Sequence, residues 1–295
     1  MRIVIAGGSG LLGRPLVARL QADGHTVSVL TRRPRRVGDV AWSPDAPGEP
    51  WAGAVAAADA VINLAGESIA GGRWTSARKA ALRDSRLRAT RALVGAILAA
   101  GSKPLAFLSG SAIGIYGPHG DEPVTEDTPP GSHFLSALGV AWEREAMAAA
   151  RVTRVVLLRT GIVLAREGGA LPQMAIPFRI FAGGRIGSGR QQVSWIHIED
   201  WVDMVRWALD TSRVSGPLNI TAPGPVSNAD LGRALGRALG RPAIVPAPAF
   251  AVRLALGEMA DVVLNGQRVL PAKAESLGFT FRYPRIEQAL REIYP

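Results

Sequence analysis

The chain has 295 residues, of which 47% are hydrophobic and 20% charged, proportions typical of a folded globular protein with one large domain and a small appendage. It contains no cysteine, which excludes disulfide frameworks and thiolate metal sites. The net charge of +10 is carried almost entirely by arginine, and the arginines are scattered rather than gathered in a stripe with aromatic residues. We therefore expect no nucleic-acid partner, and a basic nucleic-acid- or partner-binding function is the weakest alternative.

The start of the chain argues against export and membrane insertion. Met1 leads directly into the first predicted strand, which leaves no room for a signal peptide. No uncharged apolar stretch is long enough to cross a bilayer. The sequence therefore predicts a cytoplasmic protein with no membrane partner and no metal site.

A βαβ unit opens the chain. Residues 1–6 form a short apolar, β-branched run, residues 7–13 a glycine-rich turn, residues 15–22 a helix and residues 26–30 a second strand. Glycines at such a turn let the chain bend tightly, let a pyrophosphate approach the backbone and let helix and strand pack closely. The N–H groups at the helix N-terminus attract phosphate. This pattern predicts a dinucleotide site; the alternative is a glycine-rich turn with no ligand.

The expected cofactor contacts in this turn are Gly7, Ser9, Gly10, Leu11, Leu12 and Gly13.

The end of the second strand indicates which dinucleotide binds. A carboxylate there accepts from the ribose 2′-hydroxyl of NAD, whereas an arginine accommodates the 2′-phosphate of NADP. This chain has Thr31, Arg32 and Arg33, with no acidic residue until Asp39. A guanidinium forms charge-assisted hydrogen bonds to phosphate. We therefore expect NADP(H), contacted by Thr31 and Arg32; the alternative is an arginine-rich surface loop.

Strands and helices continue to alternate along the chain, which predicts an α/β fold with a Rossmann-type, doubly wound parallel sheet. Further strands are expected at residues 40–42, 60–65, 105–109, 155–159, 193–198 and 218–221. Further helices are expected at residues 52–57, 75–100, 135–150, 199–210, 227–239, 249–264 and 285–293.

Three regions follow from this order. Residues 1–160 form the predicted NADP-binding Rossmann domain, whose core is completed by segments around 193–222. Glycines and prolines become frequent after residue 161, so residues 161–240 are expected to mix a substrate lid with core segments. Residues 241–295 are expected to form a small C-terminal domain.

Several motifs make the chain resemble the extended short-chain dehydrogenase/reductases. They are Gly7-x-x-Gly10-x-x-Gly13, Asn63-Leu64-Ala65-Gly66, the Ser-x-x-x-x-Tyr-Gly stretch from Ser111 to Gly117, and Trp195-Ile196-His197-Ile198-Glu199-Asp200. More narrowly, the chain resembles an atypical branch of nucleoside-diphosphate-sugar epimerase-like proteins with a small C-terminal domain of unknown function. The specific points are Gly66-Glu67-Ser68-Ile69, Arg73-Trp74, Ser85-Arg86, residues 184–191, Gly257-Glu258 and residues 266–269.

The resemblance implies a cofactor cleft and a small-molecule substrate, a sugar nucleotide or another carbonyl compound. A homodimer is one oligomeric state that it allows. The further cofactor contacts that it implies are Leu64, Ala65, Gly66, Arg86, Ser109 and Arg159. The implied substrate contacts are Trp195 and Arg185, with Arg190 beside the latter.

The chain departs from the family at its acid/base pair. These enzymes usually act through Tyr-x-x-x-Lys, but the tyrosines here are Tyr116, Tyr283 and Tyr294, and none has a lysine four residues later. The corresponding helix positions fall near Leu135 and Gly139, which cannot transfer a proton.

Other residues must supply the chemistry if the protein is an enzyme. Ser111 matches the family's substrate-polarising serine, and we expect it to donate a hydrogen bond to a carbonyl. A histidine with a pKa near neutrality can supply a proton, and His197 lies in the substrate-facing segment of the family. His133, which precedes the helix that lacks the tyrosine, is the alternative.

Three functions stay open. The leading one is an NADP(H)-binding, epimerase-like oxidoreductase of unknown substrate that lacks Tyr-x-x-x-Lys. The second is a non-catalytic NADP(H)-binding sensor or interaction protein, which the missing pair favours. The third is the basic nucleic-acid- or partner-binding protein already named.

Overall fold

The computed structural model describes residues 1–46 and 50–295. Its strands are β1 (Arg2–Ala6), β2 (Thr26–Thr31), β3 (Asp39–Ala41), β4 (Ala60–Asn63), β5 (Ala106–Ala112), β6 (Pro123–Val124), β7 (Arg154–Thr160), β8 (Ile162–Leu164), β9 (Gln192–Val193), β10 (Trp195–His197), β11 (Gly216–Ile220), β12 (Val226–Ser227) and β13 (Arg268–Val269).

The helices follow the same order. They are α1 (Gly13–Ala22), α2 (Pro50–Ala56), α3 (Ser76–Ala99), α4 (Phe134–Met147), α5 (Ala170–Arg179), α6 (Ile198–Asp210), α7 (Asn228–Leu239), α8 (Ala249–Leu256), α9 (Ala260–Leu264), α10 (Ala272–Ser276) and α11 (Ile286–Ile293), with short 3-10 turns at Ile113–Ile115 and Gly257–Met259.

A seven-stranded parallel sheet organises the fold. Its strand order is β11-β7-β5-β4-β1-β2-β3, and every neighbouring pair in it is parallel. The order reverses at β1, so the chain winds outward in both directions from the first strand. Ligands of such sheets bind at the carboxyl ends of the strands beside this reversal. The predicted Rossmann-type, doubly wound fold is confirmed.

Both faces of the sheet are covered by helices. Leu16 and Leu20 of α1 pack with Trp201 and Val205 of α6 against one face. On the other face a second buried cluster draws its side chains from α2, α3 and α4. Burial on both sides explains why the strands read as nearly continuous apolar runs rather than as alternating ones.

The later part of the chain builds a third buried cluster beside the sheet. α5, α7 and α11 enclose Trp195, which has no exposed surface. Three two-stranded sheets connect the later segments of the chain: β8 pairs with β10, β9 with β12, and β6 with β13. β10 therefore belongs to a small side sheet, whereas β11 is the last strand of the central sheet.

Side-chain caps and a glycine set several helix boundaries. Thr75 is the expected cap of the long helix, and its hydroxyl accepts from the backbone N–H of Arg78. Ser227, one of two candidate caps, accepts from the N–H of Asp230. The helix expected at residues 249–264 is broken by the 3-10 turn at Gly257, whose φ of +60° an α-helix cannot contain.

The described residues lack two further features. None of their helices combines the length and the apolar character needed to cross a membrane. No group of three or more His, Cys, Asp or Glu side chains among them is arranged to hold a metal ion.

Candidate cofactor and active site

The glycine turn between β1 and α1 has no room for side chains at Gly7 and Gly13. Gly7 has a φ of +82°, and a Cβ added there would lie 2.7 Å from the backbone carbon of Leu64 at the end of β4. A Cβ on Gly13 would collide with the carbonyl oxygen of Gly7. Leu12, the N-cap of α1, makes no side-chain cap bond to the first-turn N–H groups. Close packing of the turn and an uncapped N-terminus of α1 are the features that a pyrophosphate-binding turn requires.

The end of β2 presents arginines without carboxylate partners. Within the described part of the chain, the side chains of Arg32, Arg33, Arg35 and Arg36 are exposed and form no ion pair. Asp39, the nearest acid in sequence, instead accepts backbone N–H groups of this loop, at 2.7 and 2.9 Å. The local charge at this strand end is therefore positive.

Arg86 of α3 lies beside the end of β4. A Cβ on Gly66 would be 3.2 Å from the Arg86 side chain. The guanidinium donates to the carbonyl oxygens of Leu82 and Glu67, each at 3.0 Å, and lies 5.2 Å from the ring centroid of Trp142. Burial lowers the pKa of Arg86 to about 10 because the charged form loses solvation.

No carboxylate among the described residues forms a salt bridge with Arg86. An anionic group bound in the neighbouring cleft would relieve the cost of burying this cation.

Ser109 and Ser111 lie near the end of β5, on the side that faces α4. Ser109 is fully buried, and among the described residues the one hydrogen bond of its hydroxyl is a long one of 3.5 Å to the carbonyl of Gly110. Ser111 lies 2.6 Å from Oε1 of Glu143 on α4. The sequence alone does not single out Glu143, because an acid well inside a helix is usually a solvated side chain.

Arg159, the penultimate residue of β7, is bound by protein partners. Its guanidinium bonds both carboxylate oxygens of Glu143, at 2.8 Å each, and donates to Oη of Tyr116 at 2.8 Å. These hydrogen bonds and the adjacent carboxylate raise the pKa of Arg159, outweighing its burial. Every side-chain nitrogen of Arg159 has a protein acceptor, so Arg159 holds Glu143 and Tyr116 in place.

Tyr116 extends this buried network to the C-terminal region. Its hydroxyl accepts from Arg159 and donates to Oδ1 of Asn219 at 2.6 Å, and Asn219 in turn donates to the carbonyl of Leu270. Burial raises the pKa of Tyr116 to about 12. Tyr116 is 1% exposed, so it is a fixed neutral phenol rather than a proton donor to a ligand.

Leu135 and Gly139, near which the sequence comparison predicts the family's acid/base pair, are packed against the turn at 113–115. A Cβ on Gly114 would be 3.1 Å from Cδ1 of Leu135, and a Cβ on Gly139 would be 2.9 Å from Cβ of Ile115. Any side chain at residue 139 would therefore require Ile115 or α4 to shift.

His197 is a helix cap in this structure. Its Nδ1 accepts from the N–H of Glu199 at the start of α6, and its Nε2 lies 3.0 Å from Glu292 on α11. The ring centroid lies 4.1 Å from that of Tyr283, with the two planes tilted by 46°, and His197 is 1% exposed. Both nitrogens are engaged and the ring is covered, so the structure does not bring His197 together with Ser111 at an open ligand surface.

The other candidate residues lie in different surroundings. Trp195 is buried, with Nε1 donating to the carbonyl of Gly224, so its indole packs in the core. Arg185 is exposed and donates to the carbonyl of Ser188, and Arg190 is exposed in the same loop. His133 is the exposed N-cap residue of α4 and makes no side-chain cap bond.

Comparison with known proteins agrees with this architecture. A family model described as "NAD dependent epimerase/dehydratase family" matches residues 3–221, and one described as "Domain of unknown function (DUF1731)" matches residues 247–293. The chain is 40% identical over 301 residues to "Epimerase family protein SDR39U1 homolog, chloroplastic" of Arabidopsis thaliana, covering 99% of this chain and 86% of that protein. It is 43% identical over 291 residues to "Epimerase family protein ML0860" of Mycobacterium leprae, covering 98% and 94%.

A solved structure extends the likeness to three dimensions. The crystal structure of human epimerase family protein SDR39U1 (isoform 2) with NADPH matches with a TM-score of 0.91 at 36% identity, over 100% of this chain and 99% of that one. The sheet and its glycine turn define a protein with a Rossmann-type dinucleotide-binding fold. The chain belongs to the NAD-dependent epimerase/dehydratase family and carries the DUF1731 region at its C-terminus, which confirms the family resemblance.

Proposed function

We propose that this protein binds NADP(H) and acts as an epimerase-like oxidoreductase on a small hydroxyl- or carbonyl-bearing compound such as a sugar nucleotide. The bound cofactor would supply or accept a hydride. The proposal includes a cytoplasmic location and no membrane or nucleic-acid partner.

The observation that supports the cofactor assignment is a close-packed glycine turn beside the exposed arginines at the end of β2, which form no ion pair with any residue that the structure describes. The turn admits no side chain at Gly7 or Gly13, as a pyrophosphate-binding turn requires, and the exposed guanidinium of Arg32 would bind a 2′-phosphate. The buried Arg86 supports an anionic occupant of the same cleft. The human relative was crystallised with NADPH, which agrees with this choice.

Cofactor binding is tested by fluorescence titration with NADPH. We expect saturable binding by the parent chain and none by Gly10→Val, because a branched side chain would occupy the place of the pyrophosphate. Gly101→Val is the matched control, since a Cβ at that residue would meet nothing within 4 Å. Normal binding by Gly10→Val, with unchanged circular dichroism, would show that the glycine turn is not a cofactor site.

Catalysis is tested separately by stopped-flow measurement of NADPH oxidation with carbonyl compounds and of NADP⁺ reduction with sugar nucleotides. Loss of turnover in Ser111→Ala, with NADPH binding retained, would support a role for Ser111 at the reacting group. Unchanged turnover in that variant would show that Ser111 has no role in the reaction.

The second candidate is a non-catalytic NADP(H)-binding protein. The packing of Gly139 against Ile115 supports it, because a lysine near this position of the helix would require Ile115 or α4 to shift. NADPH binding without turnover on any tested compound would support this function over the first.

A further inference from the structure

The buried hydrogen bond between Ser111 and Glu143 has a direction that its neighbours determine. Oγ of Ser111 lies 2.6 Å from Oε1 of Glu143, and the two residues are 5% and 8% exposed. Nε and Nη2 of Arg159 each bond one oxygen of that carboxylate, at 2.8 Å. An arginine keeps its proton in proteins, and paired bonds to a guanidinium favour the ionised carboxylate. Glu143 is therefore the carboxylate partner of the Arg159 guanidinium.

An ionised carboxylate accepts hydrogen bonds and donates none. Of the two oxygens in the contact, only that of Ser111 carries a hydrogen, so Ser111 is the donor and Glu143 the acceptor. A serine hydroxyl has one hydrogen. Because that hydrogen is donated to Glu143, Oγ of Ser111 can only accept a hydrogen bond from a bound group.

The partners of Arg159 keep this arrangement in place. Its Nη1 donates to Oη of Tyr116 at 2.8 Å and to the carbonyl of Glu126 at 3.1 Å, so the guanidinium is held from a second side. If Ser111 turned its hydrogen toward a ligand, Oε1 of Glu143 would lose one of its two donors in a buried place, which is unfavourable. The bound state therefore keeps the same polarity.

We propose that Glu143, held by Arg159, is a positioning residue that makes Ser111 a hydrogen-bond acceptor toward the ligand. The group that binds against Ser111 is then a donor, such as an alcohol hydroxyl or an amide N–H. This reverses the role expected from the family resemblance, in which Ser111 donates to a carbonyl oxygen. The inference rests on the proposed function only for placing Ser111 in the ligand cleft.

The absence of cysteine from the chain allows a direct test. Ser111→Cys introduces a single thiol, whose ionisation is read from thiolate absorbance against the thiol-free parent chain. An adjacent carboxylate should hold the thiol pKa above its ordinary value of about 8.5. In Ser111→Cys/Glu143→Gln the packing is kept and the charge removed, so we expect the thiol pKa to fall by about one unit or more, a tenfold change in the ionisation constant.

Ser109→Cys is the matched control, because Ser109 is on the same strand and has a backbone carbonyl rather than a carboxylate as its partner. Its thiol pKa should respond to Glu143→Gln by less than that at residue 111. Ser109 is also the more buried of the two, so burial alone would give it the higher pKa. If Glu143→Gln does not fold, a higher thiol pKa at residue 111 than at residue 109 in otherwise unchanged chains still supports the proposal.

Two outcomes would overturn the proposal. The first is a thiol pKa at residue 111 that does not fall when Glu143 is replaced by Gln. If the Glu143→Gln variant does not fold, the corresponding outcome is a thiol pKa at residue 111 that does not exceed the thiol pKa at residue 109. Either result would show that no charged acceptor faces Ser111. The other concerns the ligand cleft, and it is read from alkylation of Ser111→Cys by iodoacetamide with and without NADPH. If saturating NADPH does not slow alkylation, Ser111 does not lie in the ligand cleft, and this result counts against the proposed function. The thiol pKa comparison would still test the contact between Ser111 and Glu143.

Discussion

Gly139 lies against Ile115, and a Cβ added to Gly139 would sit 2.9 Å from Cβ of Ile115. Replacing a helix-interior glycine by alanine ordinarily stabilises a helix by about 1 kcal/mol. Here we expect Gly139→Ala to lose that gain, because overpacking costs about 1–3 kcal/mol. Thermal unfolding should show a Tm at or below that of the parent.

Gly95 supplies the control for this comparison. It lies inside α3, and a Cβ there would meet nothing within 4 Å. Gly95→Ala should raise the Tm. Equal stabilisation by the two substitutions would mean that α4 can move away from Ile115 and that a lysine at residue 139 is not sterically excluded.

The Glu143–Arg159 pair should show strong coupling in a double-mutant cycle. Removing either partner leaves a buried charge without its counter-charge, and such changes cost about 3–5 kcal/mol. We expect Glu143→Met and Arg159→Met each to destabilise by roughly that amount, and the double variant to be less destabilised than their sum. Urea unfolding measures all four proteins. Additive effects would show that the two side chains do not form the pair described above.

Tyr116 should make stability fall at alkaline pH. Its pKa is raised from 10 to about 12 by burial, so between these values the unfolded chain loses a proton that the folded chain keeps. The folded state then binds more protons, and stability decreases as pH rises through this window, by about 2–3 kcal/mol in total.

Tyr116→Phe removes the titrating phenol and should flatten this part of the profile. Urea unfolding at pH 9 and pH 11 compares the parent with the variant. An equal loss of stability in the two proteins would contradict the assignment.

His197 should act on stability rather than on cofactor binding. Its ring caps α6 through the N–H of Glu199 and contacts Glu292, so His197→Ala removes a cap and leaves a cavity. Loss of a helix cap alone costs about 1 kcal/mol. We expect a lower Tm and unchanged NADPH affinity, measured on the same preparation. A large loss of NADPH affinity without loss of stability would show that His197 belongs to the ligand site.

The part of the fold that depends on local signals could be predicted from the sequence. The glycines at residues 7–13 lie between two apolar runs, and glycine has few other reasons to occur there, so the βαβ unit was clear. The helix α5 was missed because Pro172 and Pro177 lie within its span, and proline ordinarily ends a helix.

The candidate site was harder to predict because its contacts join distant parts of the chain. Three different elements supply Ser111, Glu143 and Arg159. Asn219, which bonds Tyr116 of the same network, lies 103 residues after it in the chain. No local spacing links such residues. The short apolar run ending in Arg159 did indicate that its side chain lies at a strand end, but not which partner it would meet.

The central claim, NADP(H) binding at the end of β2, is tested most directly by calorimetric titration with NADPH and NADH. We expect NADPH to bind more tightly, and Arg32→Ala to remove most of the difference. A hydrogen bond to a charged group contributes about 1.5–3 kcal/mol, a ten- to hundredfold change in affinity. Arg213→Ala, which changes an exposed arginine in the turn after α6, should leave both affinities unchanged. Equal affinities for NADPH and NADH in the parent chain, or a preference for NADH, would contradict the account.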